Sequence, residues 1–493
     1  LCKAWLRKCR ENHPGCGPPS ARTLPTRLLF LGEEVPRLVV TASIQDEIEY
    51  ATLSHCWGTL KFTTLTSKTL TDFQTAIPVD ALTKTFKEAI SIAKYLDIEY
   101  LWIDSLCIIQ DSAEDWRRES SLMGQVYGYA DLNIAATAAA DGSGGCFFDR
   151  NPSWRCQIRT GEGVGWTLWD CWRDGWKNPT SNSLLPRAWV VQERYLSRRV
   201  LHFTDDQVYW ECERCPACEI YPSGYPADQK RDHYPEGFQY RKKPLGLGTW
   251  SRMVDAYSAA KLTKYSDRYA AIEGPARMIH AELGWEFVAG MWKQDLERQL
   301  CWAASLRLVN TPCTIGRSPS WSWMSVKGKI KADEPCDNVT HLAVEVDSLD
   351  VEYVSGNMFD GAERAVLRLR CEHLFRGVIK DIHPKHQKDD AQTEVDAGKS
   401  SPSEATTKPH FARSFLVGLS QAWGLVLQAT GKGTGQYRRI GAFQPTRILR
   451  HDVNAVLERM FKQTDCVALE QTECFAATKM REGEALMCYI DVV

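Results

Sequence analysis

Two short segments of this chain each end an apolar run in a cluster of reactive polar side chains. They span residues 50–58 and 100–111. The residues concerned are Ser54, His55, Cys56, Trp57 and Gly58 in the first segment, and Asp104, Ser105, Cys107, Gln110 and Asp111 in the second. Hydroxyl, thiol, imidazole and carboxylate groups are the side chains that nucleophilic and acid–base catalysis require. The two segments therefore predict a site for hydrolysis or group transfer.

The elements around these segments follow a strand, helix, strand order. Between them we expect a helix over residues 83–96. Apolar side chains at Leu82, just before it, and at Phe86, Ala89, Ile90 and Ala93 have the 3.6-residue period of a helix that packs on a sheet. We expect a second strand over 99–109, a helix over 113–130 and a third strand over 132–137. Such alternation predicts parallel strands, whose carboxyl ends border one ligand crevice. Both segments should line that crevice.

Cysteine and histidine allow one kind of chemistry there. A thiolate beside His55 could act as a nucleophile, with Asp104 orienting the imidazole. Adjacent strand residues point to opposite faces, so His55 pairs with Cys56 only if the strand has already ended, and Cys107 is sterically easier. The alternative is that both cysteines pack as small apolar residues. Because a charge within an apolar strand is costly, Asp104 is the stronger functional candidate, and Asp111 is expected to cap the following helix.

A second set of residues suggests a metal. Cys9 and His13 are spaced to share a helix face, and Cys16 follows just beyond, which is a partial zinc pattern. Further thiols are offered by Cys212, Cys215 and Cys218. Neither set alone supplies four ligands. Eighteen cysteines scattered through the chain otherwise indicate reduced thiols in the cytoplasm.

Composition excludes several classes of partner. A formal net charge of −2 without a long basic block argues against a nucleic-acid partner. The longest apolar stretches are too short for a membrane span. We expect a cytoplasmic protein with a small-molecule or protein partner.

Changes in pattern along the 493 residues suggest the domain organisation. A lead-in precedes an α/β domain, and a helical connector then joins it to an antiparallel β-rich domain containing a polar, mobile loop. The expected bounds are 1–47, 48–212, 213–317 and 318–493, with the loop at 381–410.

Four motifs in order carry a family resemblance. They read YATLSHCWG, LWIDSLCIIQD, EDWRRESSLMGQVYGYADLNIAAT and PRAWVVQERYLSRRVLHF. Together they resemble the heterokaryon incompatibility (HET) domain of filamentous fungi, over residues 48–212. The resemblance implies an open, mostly parallel sheet of toll/interleukin-receptor (TIR)-like or flavodoxin-like type. It also implies a protein that triggers growth arrest and cell death, through self-association or contact with another incompatibility protein.

Some TIR domains, to which HET domains have been likened, hydrolyse NAD at the nicotinamide bond. Such chemistry needs a carboxylate beside the ribose. Glu119 follows Trp116 as the catalytic glutamate of TIR enzymes follows an aromatic residue, although it could simply pair with Arg117 or Arg118.

Glu193 is the competing carboxylate, and Arg187 and Gln192 lie near it in sequence. Its alternative role is a buried ion pair that holds a helix. The chain lacks a GxGxxG motif, so NAD(P) would be a transient substrate and not a tightly held cofactor.

Two other functions stay open at this point. One is a non-catalytic, self-associating signalling protein, although no P-loop or repeat marks a sensing module. The other is a HET-fold enzyme that uses Cys, His and Asp for acyl transfer or cyclisation of a small molecule.

Overall fold

A computed structural model describes most of the first 332 residues and separate strands beyond them. The described residues are 1–17, 23–45, 47–150, 155–159, 165–169, 183–225, 245–304, 318–332, 344–371, 374–378, 413–418, 424–429, 436–443, 467–468, 476–478 and 487–492. The predicted loop at 381–410 lies outside them. No helix among the described residues is long and apolar enough to cross a lipid bilayer.

The first ten strands form one large sheet and one hairpin. They are β1 (Arg27–Phe30), β2 (Arg37–Val40), β3 (Tyr50–Ser54), β4 (Tyr100–Trp102), β5 (Leu132–Ala135), β6 (Arg155–Arg159), β7 (Gly165–Trp169), β8 (Arg199–Phe203), β9 (Val208–Cys212) and β10 (Ala217–Cys218). The sheet has the order β10-β9-β8-β5-β3-β4-β1-β2, and β6 pairs with β7. β3 is parallel to β4 and to β5, and β5 is parallel to β8. An α/β fold with parallel central strands is thus confirmed, while both edges are antiparallel.

Strand order creates a switch point at β3. The chain leaves β3 to form β4 on one side and then returns to form β5 on the other side. In open α/β sheets, connections that diverge in this way leave a crevice outside the carboxyl ends of the strands. Ser54 is the last residue of β3, at the end of the strand where such a crevice is expected.

Six helices accompany the sheet. They are α1 (Cys2–Asn12), α2 (Leu70–Thr75), α3 (Lys84–Tyr95), α4 (Asp104–Cys107), α5 (Ala113–Tyr129) and α6 (Ala188–Leu196). The predicted helices at 83–96 and 113–130 are confirmed within a residue or two. Thr83 caps α3 by accepting a hydrogen bond from the Phe86 amide. The predicted apolar face of α3 is buried at Phe86, Ala89 and Ala93.

The strand predicted over 99–109 is wrong in its second half. β4 ends at Trp102, and residues 104–107 form the single helical turn α4. The Asp104 carboxylate accepts a hydrogen bond from the Ser105 amide, which favours this turn. The sequence of this helical turn is largely apolar because Leu106 and Cys107 are buried. Asp111 does not cap α5; Ser112 does, by accepting from the Asp115 amide.

The remaining elements form a helical layer and a second sheet. The helices are α7 (Leu247–Ala259), α8 (Ala270–Leu283) and α9 (Leu296–Gln299). Two short pairs consist of β11 (Phe287–Val288) with β12 (Met291–Trp292), and β13 (Ala303–Ala304) with β14 (Ile330–Lys331). Trp321 and Trp323 are buried, and Trp323–Ser325 forms a 3₁₀ turn.

Nine strands form the second sheet. They are β15 (Val344–Tyr353), β16 (Ala362–Cys371), β17 (Leu374–Val378), β18 (Arg413–Gly418), β19 (Gly424–Ala429), β20 (Gln436–Phe443), β21 (Val467–Ala468), β22 (Ala476–Thr478) and β23 (Met487–Val492). Their pairings are antiparallel as predicted, except that β20 and β23 are parallel.

A close helix contact joins the α/β unit to the helical layer. A Cβ atom on Gly274 of α8 would lie 2.8 Å from Cα of Gly124 in α5 and 2.6 Å from Oε1 of Gln192 in α6. That Gln192 oxygen accepts a hydrogen bond from the Gly274 amide at 2.8 Å. Glycine at 274 therefore allows the backbone of α8 to approach both helices.

A buried ion pair anchors α5 to β1. Arg27 donates to both carboxylate oxygens of Asp115, at 3.2 and 2.5 Å, and to the carbonyl of Cys107 at 2.8 Å. Both side chains are about 5% exposed. Removing one partner of a buried pair leaves an uncompensated charge.

We expect Arg27→Met to lower the free energy of unfolding by about 3 to 5 kcal/mol, because the buried carboxylates of Asp115 and Glu119 would lose their buried cation and keep the half-exposed Arg118. Lys3→Met is the control, since its pair with Asp97 is solvent-exposed and is worth at most about 1 kcal/mol. Urea unfolding followed by circular dichroism measures both variants. Equal losses in the two variants would contradict the role assigned to Arg27.

Candidate active site

A buried carboxylate lies at the carboxyl end of β3. Glu193 of α6 accepts a hydrogen bond from Ser54 Oγ at 2.5 Å. Nδ2 of Asn133 in β5 in turn donates to Ser54 Oγ at 3.0 Å. All three side chains are buried, and Glu193 is 6% exposed. The strand switch point thus brings a hydroxyl, an amide and a carboxylate into one chain of hydrogen bonds.

Burial changes the acidity of this group. It raises the pKa of Glu193 to about 7, against hydrogen bonds from Ser54 and Tyr127 and the positive charge of Arg187, while the negative charge of Asp104 adds to the increase. Burial also raises the pKa of Tyr127 well above its usual value, so the phenol stays protonated. Glu193 can therefore exchange a proton near neutral pH, as an acid–base catalyst must.

A second polar group lies on the α3 side of the same strand end. Asp104 Oδ1 is 3.7 Å from His55 Nδ1, and its Oδ2 accepts a hydrogen bond from Trp57 Nε1 at 2.8 Å. The His55 ring packs edge-on against Phe86 and Phe62. Burial lowers the pKa of His55, which favours the neutral imidazole. Asp104, His55 and Trp57, all candidates by sequence, thus lie together, and Asp104 has polar contacts with both other side chains.

Partly exposed residues mark where a ligand could enter. The Asp104 side chain is 28% exposed, and Trp57 and Arg187 are also partly accessible. Arg187 donates a hydrogen bond to the backbone carbonyl of His55. Gly58 follows with a φ of +64°, and a Cβ atom there would lie 2.3 Å from Cβ of Asp141. A side chain at position 58 would therefore be strained and would clash with Asp141.

Several buried polar atoms at this end of the sheet have no hydrogen-bond partner within the described ranges. They are Nε2 of His55, Oγ of Ser105 and Nε2 of Gln192. Unpaired buried donors and acceptors are rare in folded proteins because they cost free energy. Those at His55 and Gln192 could be satisfied by a ligand.

The surroundings of the two candidate thiols, Cys56 and Cys107, differ from those of a catalytic Cys–His pair. Cys56 packs with Val190 and Val200, whereas His55 packs against Phe86 of α3. Burial raises the pKa of Cys56, and that of Cys107 to about 12. These surroundings favour neutral thiols, as in the alternative that both pack as apolar residues.

Two other predicted binding residues stabilise loops. Gln110 Nε2 donates to the carbonyls of Asp104 and Ile108 at 3.1 and 2.9 Å. Exposed Asp111 accepts from the amide and hydroxyl of Ser67 at 2.8 and 2.6 Å, which lowers its pKa. Their polar atoms are thus engaged within the chain, and their role in substrate binding stays a prediction.

Glu119, the other carboxylate candidate, belongs to the ion-pair network of α5. It is 3.2 Å from Nε of Arg118 and 3.6 Å from a guanidinium nitrogen of Arg27. Glu119 thus forms the ion pair with Arg118 that the sequence offered as the alternative to a catalytic role. Such an environment is typical of a structural carboxylate, and a catalytic role for Glu119 stays an untested prediction.

Two site residues were missed from the sequence. Asn133 is a polar residue within the apolar run LNIAAT, and the argument applied to Asp104 would have found it. Tyr127 shares the buried face of α5 with Met123 and Glu119. Its contact with Glu193 arises only when α5 and α6 pack together, so no local pattern signals it.

The predicted metal ligands do come together. The ligand atoms of Cys9, His13 and Cys16 lie within 4.8 Å of one another and of the Cys212 thiol. The two sequence sets therefore combine in one four-residue cluster that includes neither Cys215 nor Cys218.

Replacing Glu193 by Gln tests its protonation. The folded chain holds this proton more tightly than the unfolded chain, so the wild type loses stability as pH rises from about 4.5 to about 7. We expect Glu193→Gln to gain on the wild type over this window by up to about 3 kcal/mol. Urea unfolding at pH 4.5, 6 and 8 measures the difference. A difference that does not change with pH would contradict the assignment.

Comparison with known proteins assigns a family to this part of the chain. Residues 50–193 match the family described as Heterokaryon incompatibility protein (HET). No significant match was found among curated proteins or among solved structures. The matched residues begin at the first residue of β3 and end at Glu193, so they contain both ends of the Ser54 to Glu193 hydrogen bond. Residues 50–193 of this chain thus match the heterokaryon incompatibility (HET) domain.

Proposed function

We propose that the HET domain hydrolyses the bond between nicotinamide and ribose in NAD(P), with Glu193 as the catalytic carboxylate. The observation that carries this proposal is the buried Glu193 side chain at the strand switch point, with a pKa of about 7. The likeness of HET domains to TIR domains, some of which cleave NAD, supports it by analogy.

The reaction breaks the C1′–N bond and forms a C1′–O bond to water. Neutral nicotinamide leaves with the bond's electron pair, the ribose passes through an oxocarbenium-like state, and water loses a proton. Ionised Glu193 would stabilise that positive charge and orient the water. Ser54 and Tyr127 would hold the carboxylate in position by hydrogen bonds.

The partly exposed residues at the entrance would bind the substrate. Trp57 offers an aromatic face for a ring system, and the Asp104 carboxylate fixes its indole by a 2.8 Å hydrogen bond. Arg187 is a cation suited to the substrate's phosphates. Nε2 of His55 and Nε2 of Gln192 are further buried groups for polar contacts.

The two carboxylates differ in how their charge is balanced. Glu119 lies within 4 Å of the guanidinium groups of Arg27 and Arg118, so it is engaged in ion pairs. Glu193 instead accepts hydrogen bonds from neutral hydroxyls, so its carboxylate can respond to charge on a substrate. This contrast favours Glu193.

Hydrolysis of this kind would also account for the effect that the family resemblance implies. Loss of NAD(P) stops redox metabolism, and growth arrest and cell death would follow. We therefore propose that catalysis is the means by which the chain acts in incompatibility.

Purified full-length protein incubated with NAD or NADP is expected to release nicotinamide, measured by chromatography. Glu193→Gln should lower the rate at least about 100-fold, because the neutral amide cannot stabilise the developing charge. Glu119→Gln tests the competing assignment, and Glu114→Gln, at an exposed position of α5, is the control; both should keep rates within a few-fold of the wild type.

Two outcomes would contradict the proposal. If the wild type releases no nicotinamide even at concentrations that favour self-association, the hydrolase function is wrong. If Glu193→Gln is as active as the wild type, the carboxylate is wrongly assigned. Circular dichroism of each variant shows that a loss of rate is not a loss of fold.

A further inference from the structure

A cluster of three thiols and an imidazole lies at the far end of the first sheet from Glu193. Cys9 is on the last turns of α1, His13 follows the helix directly, and Cys16 comes after a turn. That turn needs Gly15, whose φ is +95°. Cys212, the last residue of β9, completes the cluster from 196 residues farther along the chain than Cys16.

The cluster fits the dimensions of a tetrahedral zinc site. All four ligand atoms lie within 4.8 Å of one another, and Cys212 Sγ is 3.4 Å from His13 Nδ1. Zinc bonds of about 2.3 Å to sulfur separate two sulfur ligands by about 3.8 Å. The side chains therefore need only small shifts to close around an ion. Cys9, Cys16 and Cys212 are free thiols, so no disulfide occupies these ligands.

Donors around the sulfur atoms suit thiolates. Arg199 Nε donates to Cys9 Sγ at 3.2 Å, and the Cys215 amide donates to Cys212 Sγ at 3.4 Å. The same guanidinium donates to the carbonyl of Cys16 at 2.7 Å and to Asp131 Oδ1 at 2.8 Å, and is 1% exposed. Hydrogen bonds of this kind to the ligand atoms orient metal ligands. It also places a buried positive charge beside a site that would bear excess negative charge.

We propose that Cys9, His13, Cys16 and Cys212 bind one zinc ion in a closed structural site. Three thiolates and one imidazole fill the four positions of tetrahedral zinc, so none is left for a substrate or water. The zinc would not take part in the chemistry at Glu193.

The position of the cluster in the sheet shows which elements the ion would hold together. Cys212 pairs with Arg199, the first residue of β8, so the cluster lies at the amino end of the parallel strands. Ser54 lies at their carboxyl end. The ion would fasten α1 across β9, where Trp5 already packs 6.3 Å from Trp210. Both α1 and β9 lie outside the matched residues 50–193, so zinc would join the segment that precedes the HET domain to the one that follows it.

Metal analysis of the purified full chain tests this site. Mass spectrometry is expected to find about one zinc per chain, and Cys212→Ser should reduce it to below about 0.2. Cys215→Ser is the matched control, because this cysteine lies three residues away and outside the cluster; it should keep the zinc.

Cobalt substitution tests the ligands without depending on a variant's stability. Wild-type protein exchanged with Co²⁺ should show the visible absorption of tetrahedral cobalt and a sulfur-to-metal charge-transfer band. His13→Cys should retain the metal and strengthen that band, because a fourth thiolate replaces the imidazole. Wild-type protein that binds neither ion, or Cys212→Ser that keeps stoichiometric zinc, would overturn the proposal.

Discussion

Parallel pairing of β3 with β4 on one side and β5 on the other determines where polar groups meet in this chain. Because the three strands run in one direction, their carboxyl ends share one edge of the sheet, and the connections diverge there. Ser54 occupies that position, and the hydrogen bond it donates to Glu193 ties α6 to the strand end. α6 is in turn held by α8 through Gln192 and Gly274. Through this contact, α8 supports the helix that carries Glu193.

Two carboxylates at this edge have contrasting surroundings. Glu193 is enclosed by α5, α6 and the sheet, and burial raises its pKa to about 7. Asp104 is partly exposed and accepts hydrogen bonds from Trp57 and from its neighbour's amide. Sites in which neighbouring acids have such different environments are suited to acid–base work. The negative charge of Asp104 near the entrance also makes a negative charge on Glu193 less favourable. The ionisation of Glu193 therefore depends on Asp104.

Local patterns predicted much of this architecture, and long-range contacts account for the rest. The period of α3 and the alternation of strands and helices were sufficient to place the parallel strands and their crevice. The apolar run after Trp102 was misread as strand because burial on all sides removes the period that distinguishes a strand from a helical turn. The approach of Cys212 to Cys9, and of Tyr127 to Glu193, depends on tertiary packing that no spacing rule contains. Glu193 was one of two candidates by sequence, and its surroundings separate it from Glu119.

Titration of Glu193 is the most direct test of this account. Carbon-13 NMR of protein labelled at the glutamate side-chain carboxyl carbons, with the Glu193 signal assigned from Glu193→Gln, follows this one group in the folded chain. The account predicts a midpoint near pH 7, because the carboxyl group is buried among neutral hydroxyls and near Asp104. A midpoint near the ordinary value of 4.5 would contradict it, since Glu193 would then be a solvated or fully paired carboxylate.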